Sequence, residues 1–256
     1  MTDKVGSAKI AGFEATALPG AGTITVDIAN LLGRDIVSGR FAQGETLPNE
    51  AEFSSSFAVG RSAVREAVKM LAAKGLVQSR PRRGTQVLPA KSWNFFDREV
   101  LSWLRDSGPQ PAIIIELLEL RLGVEPQAAA LATLKGTADQ IMAVRTAYDD
   151  MCAAAEGRAD PVQADCAFHQ AVIVATNNRF FQPFGLLIRT ALSVTAPFTN
   201  ALFGHSVGNL DAHRAVLIAL QSAAPQEAHA RMFEMLSEVL EAVQRGASRR
   251  VGRLGQ

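Results

Sequence analysis

Four polar residues stand on helical faces that otherwise carry apolar side chains: Arg121, Asp165, His169 and His213. Asp165 and His169 are four apart, so on a helix they share one face. They border an apolar stripe of Phe168, Ala171, Val172 and Ala175. His213 continues the stripe Val216, Leu217 and Leu220 backwards by one turn, and Arg121 interrupts Ile114, Leu117, Val124 and Ala128. Polar groups aimed into a bundle cost desolvation unless they meet one another, a ligand or a metal. Two imidazoles and a carboxylate hold divalent first-row metals (zinc, nickel or manganese class) and leave positions open. Arg121 could clamp a carboxylate bidentately. The plainer alternative is four hydrogen-bonded core residues, with Arg121 paired to Asp165 or Glu125. The convergence of all four favours an effector site, with Asp165, His169 and His213 as metal ligands.

A second set is basic. Between residues 61 and 83 stand Arg61, Arg65, Lys69, Lys74, Arg80, Arg82 and Arg83 against a single acid, Glu66. The chain's formal charge of +1 hides this local field, which suits phosphate neutralisation. Arg61 and Arg65 are i,i+4 neighbours, and the arginine fork can meet guanine O6 and N7 or bridge phosphate oxygens. Taken singly, each arginine reads as part of a solvated surface.

The elements that must position these residues fall into two blocks. Val26–Ser38 has one apolar helical face, and Gly39, Gly44 and Pro48 mark the following loop. Asn49 and Glu52 form a capping-box pattern for a short helix. Ala58-Val59-Gly60 is a tight turn, and Arg61 opens a helix with Val64, Ala67, Val68 and Leu71 inward and Lys74-Gly75 at its end. Leu76–Arg80 and Thr85–Leu88 flank Pro81-Arg82-Arg83-Gly84 as a hairpin with a basic tip. Helix, short helix, turn, helix, basic hairpin is the order of a winged helix-turn-helix. Its expected double-stranded DNA contacts are Arg61, Ser62, Arg65, Arg80, Arg82, Arg83 and Gly84.

Beyond Ala90 only helical spacing remains, over Asp97–Arg105, Pro111–Leu134, Thr137–Ala155, Pro161–Thr176, Arg179–Thr195, Val207–Leu220 and Pro225–Arg245. The fold class is therefore mainly α: an N-terminal winged helix-turn-helix with a two-stranded wing, and a C-terminal all-α bundle for an effector. The expected organisation is a flexible arm over 1–24, a DNA-binding domain over 25–90, a linker over 91–96, the effector domain over 97–246 and a mobile tail over 247–256. Trp93, Phe96 and Trp103 are expected to glue the two domains together.

The apolar segments Ala112–Leu120 and Phe184–Ala196 are interrupted by Glu116 and Arg189, so no membrane span is expected. The N-terminus has no signal-peptide pattern, and two isolated cysteines, Cys152 and Cys166, suit a reducing cytoplasm.

In register, Gly39-Arg40, Gly44, Leu47-Pro48-Asn49-Glu50, Val59 to Ala67, Gly75-Leu76-Val77 and Arg83-Gly84 resemble the GntR family of bacterial transcription regulators. The resemblance implies DNA contact through Arg61, Ser62, Arg65 and the wing at Gly84. Ala51 replaces an arginine usual in the family, which shifts weight onto those residues. Residues 97–240 resemble the all-helical FCD effector domain of the family's fatty-acid-regulator branch. Glu119-Leu120-Arg121 and Glu125-Pro126 open that pattern, and Asp165, His169 and His213 are its metal ligands. Such domains add a third histidine from the last helix, where this chain has Met235. His229 lies on another face. The segment Lys91 to Asp97, with Val100, Leu101 and Trp103, is similar to the linker of galactonate-operon-type sugar-acid repressors.

The combined expectation is a cytoplasmic, homodimeric repressor that binds palindromic operator DNA and is released by a small anionic effector such as a sugar acid. Two-fold symmetry would read two half-sites. One rival is a metal-dependent enzyme with a DNA-tethering domain, but no motif supplies a nucleophile, a phosphate-binding glycine loop or a cofactor lysine. The other is a metal-free acyl-CoA sensor, which predicts a long apolar tunnel.

Overall fold

The computed structural model describes residues 23–107, 111–204 and 208–254, with side chains at all of these except 111, 197, 198, 201–203 and 246–254. The arm expected over 1–24 lies outside the described residues but for its last two, of which Thr23 precedes the first helix and Ile24 opens it. The chain divides into two compact units, Met1–Gly108 and Pro109–Gln256.

In the first unit α1 (Ile24–Val37), α2 (Glu50–Phe57) and α3 (Arg61–Ala73) precede β1 (Val77–Arg80) and β2 (Gly84–Val87). Ile28, Leu32 and Ile36 of α1 are buried, as are Val64, Ala67 and Leu71 on the facing stripe of α3. Asn49 accepts from the Ala51 and Glu52 amides, and Glu52 returns to the Asn49 amide at 2.7 Å, so the capping box forms as read. Ala58, in the left-handed region at φ 53°, turns the chain between α2 and α3. Gly75 follows α3 at φ 77°; a Cβ there would lie 2.1 Å from the Ser92 carbonyl oxygen, so only glycine fits.

β1 and β2 pair antiparallel from Val77 with Val87 to Arg80 with Gly84. A third segment joins them: Thr46 bridges Gln86, and the Leu47 amide donates to the Thr85 carbonyl at 2.8 Å. Gly44 and Pro48 mark this segment as loop in the sequence. One bridge residue carries no alternation to detect.

The helix α4 (Arg98–Asp106) corrects the expected boundary. Counted with the effector domain from residue 97, it belongs instead to the first unit, packed on α1. Trp103 is buried, donates from Nε1 to Asn30 Oδ1 at 3.0 Å and lies where a Cβ on Gly33 would clash at 2.5 Å. Lys74, the C-cap of α3, pairs with Asp97 at 2.7 Å and Glu99 at 2.6 Å at the start of α4. Trp93 donates to the Leu88 carbonyl. Trp93 and Trp103 thus tie their segment to the winged helix-turn-helix.

The second unit is wholly helical among its described residues: α5 (Pro111–Lys135), α6 (Ala138–Ala155), α7 (Pro161–Ala175), α8 (Gln182–Phe203), α9 (Leu210–Gln221) and α10 (Pro225–Leu254). The last helix continues past Gly246 to Leu254, where the sequence reading placed a tail from residue 247. Phe168, Val172, Val216, Leu220, Met232 and Leu236 belong to the main core, which draws on α7, α9 and α10. α5 runs through Pro126, which deprives the carbonyl of Leu122, the residue after Arg121, of its helical donor.

Candidate functional site

Capping sets the register of the helices that carry the site. Asp160 caps α7 through the Gln163 amide at 2.8 Å, with Pro161 at the first helical position. From that start Asp165 and His169 face inward, both buried. Asn209 caps α9 through the Ala212 amide, and its carbonyl lies 2.6 Å from His213 Nδ1. A proton on Nδ1 donates to that carbonyl, which leaves the Nε2 lone pair of His213 facing the site.

Three helices bring their polar residues to one point. Arg121 Nε donates to Glu125 Oε1 at 2.6 Å, and Arg121 NH2 lies 3.0 Å from His169 Nε2. Glu125 Oε2 sits against His169 Nδ1. His169 Nε2 and His213 Nε2 are 3.2 Å apart, and Asp165 Oδ1 lies 3.4 Å from the first and 3.2 Å from the second. Asp165 Oδ1 is buried without a hydrogen bond among the described residues. With Glu125 taking the Nδ1 proton of His169, two imidazole lone pairs and a carboxylate oxygen converge. Asp165, His169 and His213 each offer one ligand atom within 4.8 Å of the others. Such a group could hold a metal ion, and both imidazoles have an acceptor on the far ring nitrogen, as metal-binding histidines do.

Burial opposes ionisation of Glu125, but Arg121 and His169 outweigh it and hold its carboxyl down at about 2. Asp165 is likewise disfavoured by burial, yet the two histidines keep it far below the usual carboxylate range. Burial works against a charged His169; the Glu125 carboxylate reverses this and raises its pKa. Burial lifts the Cys166 thiol to about 11, which leaves it an inert core residue.

The ligand atoms open onto a cavity of about 70 Å³, lined also by Thr195 and Asn200 of α8 and by Met235 of α10. That holds on the order of five waters or a small organic anion. The structure brings Arg121, Asp165, His169 and His213 together, and Met235 beside them. His229 instead stacks on Phe233, with ring centroids 6.3 Å apart. The sequence offers Glu125 as a possible partner of Arg121 and as part of the pattern that opens the domain, and gives no role to Asn209, Thr195 or Asn200. The signal available for Glu125 was its i,i+4 spacing from Arg121; that it also meets His169 depends on how α5 packs on α7.

The basic set stands in the other unit. Arg61 and Ser62 are exposed at the start of α3, which opens on Gly60 without a side-chain cap; the Ala63 amide donates to the Gly60 carbonyl at 3.1 Å. Arg80, Arg82, Arg83 and Gly84 are exposed around the wing tip, with Arg80 forked onto the Gln78 side chain. Arg65, expected to project with Arg61, is engaged by Glu50 of α2 through Nε and NH2. The sequence reading did not include Glu50 among the site residues.

Residues 24–87 match the family described as "Bacterial regulatory proteins, gntR family", and residues 116–238 match the FCD domain. The HTH-type transcriptional regulator YieP of Escherichia coli (strain K12) is 36% identical over 195 residues, 75% of this chain and 84% of that protein. The galactonate operon transcriptional repressor of the same strain is 33% identical over 157 residues, 61% of this chain and 69% of that protein. In fold, the chain is similar to Lar, which controls expression of the Listeria monocytogenes agr system, at a TM-score of 0.57 and 17% identity over 88% of this chain and 98% of that one. The chain belongs to the GntR family of bacterial transcription regulators, with a gntR-type DNA-binding domain followed by an FCD domain. Both matched families and the similar proteins are regulators rather than enzymes. Among the described residues no helix is long and apolar enough to cross a membrane.

Proposed function

We propose that this regulator is a homodimeric repressor that binds palindromic operator DNA through α3 and the wing, and that a small hydroxylated carboxylate entering the α5–α7–α9 cavity releases it. The observation that carries the reading is the buried convergence of Asp165, His169 and His213 on a cavity of about 70 Å³. The three residues would hold a divalent cation, which supplies a positive centre for the effector's carboxylate. Arg121 has its Nε committed to Glu125, so any pairing with the effector falls to its terminal nitrogens. Thr195 and Asn200 offer polar groups for hydroxyls. The relative named as a galactonate operon repressor supports an aldonic acid as the effector class. The cavity's small volume speaks against an acyl-CoA thioester.

Release of DNA requires the ligand to favour an arrangement of the dimer that binds operator less well. Calorimetric titration of zinc-loaded protein with galactonate and other aldonates tests the ligand class. Saturable binding of at least one aldonate, stronger than that of acetate, is expected. No heat from any aldonate at millimolar concentration would refute the sugar-acid reading.

A further inference from the structure

Glu50 is an acid on the face where a DNA-binding surface gains most from basic residues. It opens α2, and its carboxylate takes Arg65 of α3 in a side-on fork: Nε donates to Oε1 at 3.1 Å and to Oε2 at 3.2 Å, and NH2 donates to Oε2 at 2.8 Å. Both side chains stay substantially exposed, at 60% for Arg65 and 37% for Glu50. The nearby ion pair of Lys69 with Glu66 lies within α3 itself. The Arg65–Glu50 pair is different, since it joins the two helices of the turn motif.

A guanidinium has five N–H donors in one plane. The side-on fork uses Nε–H and one hydrogen of NH2. Three remain, one on NH2 and two on NH1; one from each of these nitrogens forms the end-on edge, whose spacing matches guanine N7 and O6. An arginine free to rotate presents any edge to any phosphate. One locked by a carboxylate presents a single edge in a single plane, losing less rotamer entropy on binding a base.

We infer that Glu50 is a positioning residue, which fixes Arg65 to read one guanine in each operator half-site rather than to bridge phosphates. The inference rests on α3 lying in the major groove, as in the proposed function. The carboxylate costs non-specific affinity by repelling phosphate and returns base discrimination.

The test is in vitro selection from a random duplex library with full-length wild type, Arg65→Ala, Glu50→Gln and Glu50→Asp, followed by affinities at fixed salt. Glu50→Asp keeps the charge at the start of α2 but shortens the reach. Wild type should select half-sites with an invariant guanine whose replacement by adenine weakens binding by roughly tenfold or more. Arg65→Ala should lose the preference at that position. Both Glu50 variants should shrink the penalty there to about threefold or less, while other positions stay as selective and binding to unrelated DNA is equal or tighter. Full retention of the penalty in both Glu50 variants overturns the proposal. So does a uniform gain in affinity at all sequences, which would make Glu50 a mere competitor for Arg65. A wild type that selects no site would instead remove the premise that α3 reads bases, and the proposal with it.

Discussion

Glu125 sits against Nδ1 of His169, on the ring edge opposite the one facing Asp165 and His213. The same carboxylate binds Arg121 through its other oxygen, so one buried acid orients an imidazole and neutralises a guanidinium. Replacing Glu125 by Gln should lower affinity for a divalent metal by about 10- to 100-fold, as loss of an outer partner does. Glu125→Ala should in addition destabilise the bundle by about 3–5 kcal/mol, because Arg121 is left buried and unpaired. Competition with a chromophoric chelator measures the first effect and urea unfolding the second. Unchanged metal affinity in Glu125→Gln would mean that His169 is oriented by something else.

The raised pKa of His169 gives the site a defined response to pH. A raised value in the folded protein means that proton-linked stability of the metal-free form is complete below about pH 6.5 and fades as pH rises through the folded pKa. Metal must displace that proton, so its affinity should climb over the same interval. The carboxylates act in the other direction. Glu125 is held at about 2 and Asp165 is also depressed, so their contribution is present above about pH 4.5 and is lost as pH falls towards 2. Metal titrations from pH 5.5 to 8.5 and urea midpoints from pH 2 to 6 check both limbs. A metal affinity flat across the upper range would contradict the assigned protonation.

Met235 lines the cavity beside the three ligand residues, at the position where the family resemblance placed a third histidine. A thioether is a poor ligand for zinc, nickel or manganese, so the metal should leave readily on dialysis against EDTA. Met235→His should retain it through the same dialysis, since a fourth protein ligand completes the set. Elemental analysis after dialysis reads the outcome. Equal loss from both proteins would show that position 235 does not reach the metal.

Trp103 occupies the space beside Gly33, where even a methyl group would clash at 2.5 Å. Gly33→Ala should therefore displace the indole, strain the α1–α4 contact and destabilise the first unit by roughly 1–3 kcal/mol. Trp103→Ala should cost about 3–5 kcal/mol. Neither change touches a ligand of the second unit, so metal stoichiometry should stay at the wild-type value. Calorimetric melting together with metal analysis separates the two. A wild-type melting profile in both variants would place Trp103 outside the core of its unit.

How far the sequence revealed these features depended on whether the determining contacts were local. The Asn49–Glu52 capping box and the i,i+4 pair Asp165–His169 are set within one turn, and both appear as read. Each helix of the second bundle was also legible from its period and its flanking breakers. The destination of α4 was not. Val100, Leu101, Trp103 and Leu104 form an apolar face that would look the same packed on either unit, and only the fit of Trp103 against Gly33 and Asn30 decides. Glu50 with Arg65 and Glu125 with His169 are 15 and 44 positions apart, the second separation following directly from the residue numbers. Those pairings arise from how helices pack, which no local pattern encodes.

A ligand in the Asp165–His169–His213 cavity is expected to control DNA held by the other unit. Fluorescence anisotropy of a labelled operator duplex bound to zinc-loaded protein, titrated with the aldonate that binds best, reads that control. Anisotropy should fall to the free-DNA value for wild type. For Asp165→Asn, which keeps the shape but removes the charge, it should stay high at the same ligand concentration, with operator affinity before titration unchanged. A wild-type complex indifferent to every bound aldonate, or an Asp165→Asn complex released as readily as wild type, would contradict the account.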